Sequence, residues 1–305
     1  MANYYIFEGS TWGPCFINGN VLIKNPSRFF KSHKSLRIGV PRIYDFPDTI
    51  EIKITNKCIH QCLYCSGRSN EIGKNNINSE LYLKLNNFPD SPVLFILSGG
   101  NILENLNDTY DILKFLNEKF SNYRICIKIN AMDLERLELS SSFGKRIINK
   151  IFESSFLCIS IDNCKDYNIV KNKLKKLLWK TDIIYSFDHT VSPFNSIEEL
   201  KDFNVVIDGG IGNLIQKDEI YRFIEKQRYY LKNNSKIFFS KDAYNQLDLD
   251  KILLEDEKIL YSTGWDNLVY IDAVEGTYSK SKLDSNKVKW DDLSIIDYYH
   301  DTYNK

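Results

Sequence analysis

The sequence of 305 residues lacks several features that would assign it to a class of protein at once. Its net charge is zero, since 40 basic residues balance 40 acidic ones, and this argues against a dedicated nucleic-acid binder. No apolar run is long enough to cross a bilayer, and the N-terminus has no signal-peptide pattern. Seven cysteines, an odd number, do not suggest a disulfide scaffold. These absences predict a cytoplasmic globular protein without a membrane partner.

The cysteines that are present are unevenly distributed, because three lie in the segment ITNKCIHQCLYC and none follows Cys164. The three are Cys58, Cys62 and Cys65, and thiolates favour iron–sulfur clusters and zinc over hard cations. Three thiolates on one short loop can hold three irons of a 4Fe–4S cluster and leave the fourth iron open. A structural zinc site needs four ligands, no second cysteine pair follows, and His60 is crowded within the motif. The spacing therefore favours a cluster over zinc.

Strand-like and helix-like segments alternate between about residues 50 and 240, which predicts a parallel sheet with helices packed outside it. The predicted strands are 50–55, 93–98, 124–130, 156–161, 183–187 and 204–208. The predicted helices lie near 79–87, 104–119, 145–153, 164–179, 196–202 and 214–232. Barrels of such units carry their chemistry at the C-terminal ends of the strands.

The segments on either side of this region have a different pattern. Before it, an apolar run at 4–7 and a turn at Asn18-Gly19 predict short strands and a hairpin. After it, 258–280 predicts strands joined by glycine-containing turns, and 290–305 predicts a closing helix. We therefore divide the chain into an N-terminal β-hairpin cap (1–45), a barrel core (46–240) and a C-terminal α+β extension (241–305).

The motif Cys58-x3-Cys62-x-Tyr64-Cys65 resembles the signature of the radical S-adenosylmethionine (radical SAM) enzymes, Cys-x3-Cys-x-aromatic-Cys. The lead-in 46–55 also resembles the first barrel strand of that family. The resemblance implies an α/β fold, a partial (β/α)6 TIM-like barrel, with one 4Fe–4S cluster on the three cysteines and SAM chelated by the open iron. It further implies that SAM is cleaved to a 5′-deoxyadenosyl radical that abstracts hydrogen from a substrate, with a flavodoxin or ferredoxin-type electron donor.

The resemblance also assigns roles to residues at the predicted strand ends. Residues 98–101 resemble the family's "GGE" motif, which binds the SAM amino group, although Asn101 replaces the acidic residue. Asn130, Ser160 and Asp162 resemble the positions that hold the SAM ribose and carboxylate, whereas strand-ending Asp and Asn are also natural turn formers. Tyr64 is expected beside the adenine, and 206–212 could form the adenine wall. The cofactor-binding candidates are Tyr64, Ser98, Gly99, Gly100, Asn101, Asn130, Ser160, Asp162 and Asp208.

Three further residues are candidates for catalysis on the substrate. Asp188 and His189 follow the fifth strand and are expected at the barrel mouth, where a histidine can relay protons near neutral pH. A histidine at this place can equally be a satisfied hydrogen-bonding group. Cys15 is an outlying thiol that could donate a hydrogen atom.

The C-terminal extension resembles the "SPASM" or "twitch" extensions of peptide-modifying radical SAM enzymes. Gly264, Ile271 and Gly276 keep the pattern of glycine turn, strand and glycine turn, but Ser262 and Ser279 stand where cluster-binding cysteines are expected. The resemblance thus implies a vestigial extension without a second cluster, and a ribosomally made peptide as the preferred substrate. The alternatives are a nucleoside or other small metabolite as substrate, or a non-catalytic iron–sulfur or zinc protein with a regulatory role.

Overall fold

A computed structural model of the protein describes residues 4–8, 46–47, 49–60, 65, 69–90, 93–121, 123–136, 148–151, 156–161, 172, 183–188, 204–208, 217–230, 237–253, 258–262, 268–280, 284–291 and 293–303. Within these residues, twelve strands form one sheet. They are β1 (Tyr4–Glu8), β2 (Thr49–Lys53), β3 (Val93–Ser98), β4 (Tyr123–Asn130), β5 (Phe156–Ser160), β6 (Ile183–Asp188), β7 (Asn204–Asp208), β8 (Ile237–Ser240), β9 (Lys258–Ser262), β10 (Leu268–Asp272), β11 (Thr277–Ser279) and β12 (Val288–Lys289).

The order of the strands explains how the sheet forms a barrel wall. The order is β12-β11-β10-β2-β3-β4-β5-β6-β7-β8-β1-β9, and β2 to β8 are all parallel to their neighbours. Because each strand from β2 to β8 is added beside the preceding one, right-handed crossovers put their connections on the same face. This confirms the predicted α/β fold, a partial barrel, and all six predicted strands.

The helices supply the apolar layer that covers the outer face of this sheet. They are α1 (Glu80–Asn86), α2 (Leu106–Lys119), α3 (Ala131–Arg136), α4 (Lys217–Tyr230), α5 (Lys241–Gln246) and α6 (Ile295–Tyr303), with 3₁₀ turns at Ile102–Glu104 and Leu249–Lys251. The predicted helices 79–87, 104–119 and 214–232 are confirmed, and 145–153 is helical over the described part 148–151. Those at 164–179 (residue 172 apart) and 196–202 lie outside the described residues. No helix in the described ranges is long and apolar enough to span a bilayer.

Two parts of the sheet come from the ends of the chain. β1 lies between β8 and β9 and pairs in parallel with both, so this predicted strand belongs to the sheet. The predicted hairpin at Asn18-Gly19 lies outside the described residues, and the proposed domain boundaries stay a prediction. Towards the other edge, which β12 forms, β10 pairs in parallel with β2.

The C-terminal segment is held to this edge by a hairpin, a helix and a lysine. β10 and β11 form an antiparallel hairpin, and Gly276 in its turn has a φ of +67°. The predicted closing helix is α6, whose Tyr303 hydroxyl donates to the Leu268 carbonyl at 2.7 Å. Lys84 of α1 donates hydrogen bonds from Nζ to three main-chain carbonyls, those of Trp290, Asp291 and Leu293. These contacts tie the C-terminal segment to the barrel.

Candidate functional site

The residues predicted to bind the cofactor meet at one edge of the sheet. Parallel strands place their C-terminal ends at the same edge, and here β3, β4 and β5 end at Ser98, Asn130 and Ser160. Asn130 and Ser160 are partners in the ladder between β4 and β5, and Lys53 is the partner of Ser98. The motif loop follows β2 at this edge. β6 and β7 end here at Asp188 and Asp208, which are also ladder partners, although their side chains are not described.

The two faces of the strands differ in chemistry. The alternate residues Ile50, Ile52 and Ile54 belong to the apolar core shared with the helices. The residues between them on β2 face the barrel interior, and these include the buried Glu51 and Lys53. Lys53 Nζ lies 3.2 Å from Asp272 Oδ2 of β10, so the C-terminal hairpin supplies the counter-ion to a buried charge of the first barrel strand.

The glycine pair after β3 packs directly against the start of the motif loop. The Gly100 amide donates to the Thr55 carbonyl at 2.9 Å, and the Asn101 amide donates to the Lys57 carbonyl at 2.8 Å. A Cβ on Gly100 would lie 2.0 Å from the Lys57 carbonyl oxygen and 3.1 Å from Cys58 Cβ. Gly99 has a φ of +146°. A side chain is therefore excluded at both glycines, and the loop can approach the end of β3 closely.

A second segment holds the motif loop from another direction. The Cys58 amide donates to the Asn70 carbonyl at 2.8 Å, and the Asn70 amide donates to the Asn56 carbonyl at 3.0 Å. The Thr55 hydroxyl, which is buried, contacts the side-chain oxygen of Asn75. The main chain that leads into the first motif cysteine is thus fixed on two sides before any metal binds.

The chemistry of the thiols fits a cluster, within the part of the motif that is described. Cys58 and Cys65 are half-buried, and the His60 amide donates to Cys58 Sγ at 3.5 Å. Amide hydrogen bonds to cysteine sulfur are among the features that set the potential of iron–sulfur clusters. Cys62 and Tyr64 lie outside the described residues. For this reason the described residues alone show no group of three metal-binding side chains.

The candidate site contains a buried polar atom at the C-terminal end of β3. Ser98 is 1% exposed, and its hydroxyl has no hydrogen-bond partner among the described residues. A buried polar group of this kind usually has a partner, so its position suits a bound ligand. The side chain of Asn101 instead caps the adjacent 3₁₀ turn, accepting from the Leu103 amide at 3.0 Å. The Asn130 side chain similarly accepts from the Met132 amide at 2.9 Å.

The site also contains residues that the sequence did not reveal. The His60 ring contacts the carboxylate of Asp133, and both side chains are buried. Tyr270 of β10 is buried as well. Burial is the main cause that raises the pKa of its phenol, and the carboxylates of Glu51 and Asp272 raise this pKa further. A negative charge on Cys65 raises this pKa in the same direction. No local sequence pattern indicates these long-range contacts.

The remaining predicted residues are only partly described. Ser160 is buried at the end of β5, and its predicted role in binding the cofactor stays a prediction. Asp162, His189 and Cys15 lie outside the described residues, so their predicted roles are not tested. Cys126 and Cys158 are buried in β4 and β5, as predicted for cysteines that pack within strands.

No protein-family model and no curated protein sequence matches the chain. Solved structures do match. SuiB of Streptococcus suis bound to S-adenosylmethionine has a TM-score of 0.60 at 14% identity, over 90% of this chain and 70% of SuiB. SuiB bound to the precursor peptide SuiA has a TM-score of 0.58 at 13% identity, over 89% of this chain and 67% of SuiB. The structure of anSMEcpe with AdoMet and the Cp18Cys peptide has a TM-score of 0.54 at 12% identity, over 84% of this chain and 80% of anSMEcpe.

Proposed function

The chain shares the fold of radical SAM peptide-modifying enzymes, and we propose that it is itself a radical SAM enzyme. Cys58, Cys62 and Cys65 would hold a 4Fe–4S cluster and leave one iron open to SAM. When bound and reduced, the cluster supplies the electron that cleaves SAM to methionine and a 5′-deoxyadenosyl radical. The observation that carries the proposal is the packing of the glycine pair against the motif loop, because it brings the candidate ligands of metal and cofactor to one strand edge.

The residues of the chain have separate tasks in this proposal. The carbonyl groups at Gly99 and Gly100 would accept from the SAM amino group, and the Ser98 hydroxyl would bind the cofactor beside them. Asn130 and Ser160, which are ladder partners, would hold the ribose and carboxylate. The buried Lys53–Asp272 pair would hold the first barrel strand against β10 beside the cofactor.

We propose a peptide as the substrate. Two observations support this choice: the neighbours SuiB and anSMEcpe are solved with peptides bound, and the C-terminal hairpin follows the twitch-like pattern at Ile271 and Gly276. Asp188 and His189 would then face the substrate at the barrel mouth, with Cys15 as a hydrogen-atom donor. The electron donor would be a flavodoxin or ferredoxin-type protein.

Anaerobic reconstitution tests the cofactor assignment. The brown protein should contain about four irons per chain and release 5′-deoxyadenosine when it is reduced in the presence of SAM. Cys62→Ala should abolish both properties, whereas Cys126→Ala, which changes a buried strand cysteine outside the motif, should retain both. Colourless protein with one zinc per chain would contradict the proposal and select the non-catalytic alternative.

A second experiment tests the substrate class. Short peptides encoded beside the gene should be added to the reduced enzyme, with deuterium in place of their carbon-bound hydrogen. We expect a peptide product by mass spectrometry and deuterium in the released 5′-deoxyadenosine. Deuterium transfer from a nucleoside or another small metabolite, and none from any peptide, would select the alternative substrate class.

A further inference from the structure

His60 lies between the first two motif cysteines, and its ring reaches a residue 73 positions further along the chain. Its Nε2 atom contacts Oδ1 of Asp133, and the side chains of His60 and Asp133 are only 4% and 3% exposed. A carboxylate can only accept hydrogen bonds, so Nε2 is the donor. A buried hydrogen bond to a charged group is among the stronger polar interactions in proteins. The motif loop is therefore anchored by one side chain.

The partner of this anchor belongs to another part of the candidate site. Asp133 lies in the first turn of α3, where the helix dipole favours a negative charge. α3 follows β4 without a gap, and the side chain of Asn130, the last residue of β4, accepts from the Met132 amide at 2.9 Å. His60 thus connects the loop of the proposed cluster to the strand end of the proposed SAM site.

The main chain of the same residue contacts a cluster ligand. The His60 amide donates to Cys58 Sγ at 3.5 Å. Because the ring is held by Asp133, the backbone of His60 has less freedom, and its N–H group remains directed at the sulfur. Without this anchor, the amide and the Cys58 thiol would both gain freedom to move.

We propose that His60 is a positioning residue, which fixes the Cys58 sulfur relative to the strand end at Asn130 through its contact with Asp133. The effect of His60 on a bound cluster rests on the function proposed above. The anchor itself exists in the protein without metal and can be measured there. Asp108 provides a matched control, because it is also an acidic residue in the first turn of a helix, α2, and its carboxylate accepts from Asn105 rather than from the motif loop.

The first test uses the metal-free, reduced protein and measures the rate of Cys58 alkylation by iodoacetamide, with peptide mass spectrometry. His60→Phe, which keeps a ring but has no donor, and Asp133→Leu, which has no acceptor, should each raise this rate about tenfold, the factor expected for one buried hydrogen bond. The double variant should be no faster than the faster single variant, because both changes remove the same contact. Asp108→Leu should alkylate at the wild-type rate. If one variant fails to fold by circular dichroism, the other tests the same contact from its opposite end.

The second test uses the reconstituted protein and records the electron paramagnetic resonance spectrum and midpoint potential of the reduced cluster. A hydrogen bond to a ligand sulfur affects both, so His60→Phe and Asp133→Leu should change them alike, and Asp108→Leu should not. Wild-type alkylation rates in both variants, or wild-type spectra and potentials despite faster alkylation, would overturn the positioning role. If wild-type protein forms no cluster, the proposed function fails, while the alkylation rates still decide whether the anchor exists.

Discussion

In β2 and β3, alternate residues point to opposite faces of the sheet, and the two faces have different compositions. The outer face carries Ile50, Ile52 and Phe95, which pack in the core beneath the helices. The inner face carries the buried polar residues Glu51, Lys53 and Ser98, and Ser98 lies at the edge where the candidate site is found. Both faces are buried, so burial alone does not separate them. The comparison teaches that neighbouring residues of one strand can serve stability and chemistry separately.

The outer face should determine stability without determining chemistry. Phe95 is fully buried and its ring lies 4.9 Å from that of Phe120, so Phe95→Ala should lower the free energy of unfolding by about 3–5 kcal/mol. Urea unfolding of the metal-free protein measures this. Leu83→Ala, at a residue that is 58% exposed, should change it by less than about 0.5 kcal/mol. A loss of SAM affinity in the folded Phe95 variant would show that the two faces are not independent.

The buried ion pair is the place where the inner face should also affect stability. Lys53→Met leaves the Asp272 carboxylate in the interior with only the distant Lys287, 3.8 Å away, among its described ion-pair partners. Breaking a buried pair from one side costs about 3–5 kcal/mol because it leaves an uncompensated charge. We therefore expect Lys53→Met to unfold at lower urea concentration. Lys53→Met with Asp272→Asn should recover part of the loss, because Asn removes the charge and keeps an Oδ1 acceptor for the Val274 and Glu275 amides. An additive double variant would contradict this.

The sequence predicted the sheet well where the signal is local. The runs at 93–98 and 204–208 match β3 and β7 residue for residue, because each is an apolar segment that ends at a polar residue or a glycine turn. β8 and α5 were missed, since the short apolar run 237–240 has no clear strand boundaries. The position of β1 between β8 and β9 depends on pairing across more than 200 residues, and no local pattern contains that information.

The candidate site likewise contains local motifs that the sequence indicates and long-range contacts that it does not indicate. The spacing of Cys58, Cys62 and Cys65 and the Gly-Gly turn after β3 could be found in the sequence, because the chemistry demands them at fixed short distances. The contacts of His60 with Asp133 and of Lys53 with Asp272 could not, because their partners are 73 and 219 positions away. Such partners are brought together by the order of the strands rather than by a motif.

The glycine pair after β3 tests whether iron binding depends on the close backbone contact between this turn and the motif loop. In Gly100→Ala the new Cβ would meet the Lys57 carbonyl at 2.0 Å, and relieving such overpacking typically costs about 1–3 kcal/mol. Because the displaced segment carries Cys58, iron loading at limiting iron should fall about tenfold or more, as measured by iron per folded chain. Gly276→Ala is the matched control: its Cβ would meet Trp290 at 2.9 Å, so it should lower stability and leave iron loading unchanged.

Ser98 and Thr109 sharpen the comparison most, because both are buried hydroxyl residues that are expected to respond in opposite ways. The Thr109 hydroxyl donates to the Asn105 carbonyl at 2.8 Å within the outer layer, so Thr109→Val should destabilise the metal-free protein by about 1 kcal/mol. The Ser98 hydroxyl has no partner in the described part of the chain, so Ser98→Ala should leave stability unchanged or raise it. Titration calorimetry of the reconstituted proteins should show the reverse order for SAM: about five- to tenfold weaker binding for Ser98→Ala, the factor for one hydrogen bond, and wild-type binding for Thr109→Val. Equal SAM affinities in the two variants would remove the Ser98 hydroxyl from the site and leave only the backbone of the glycine turn as its contact with the cofactor.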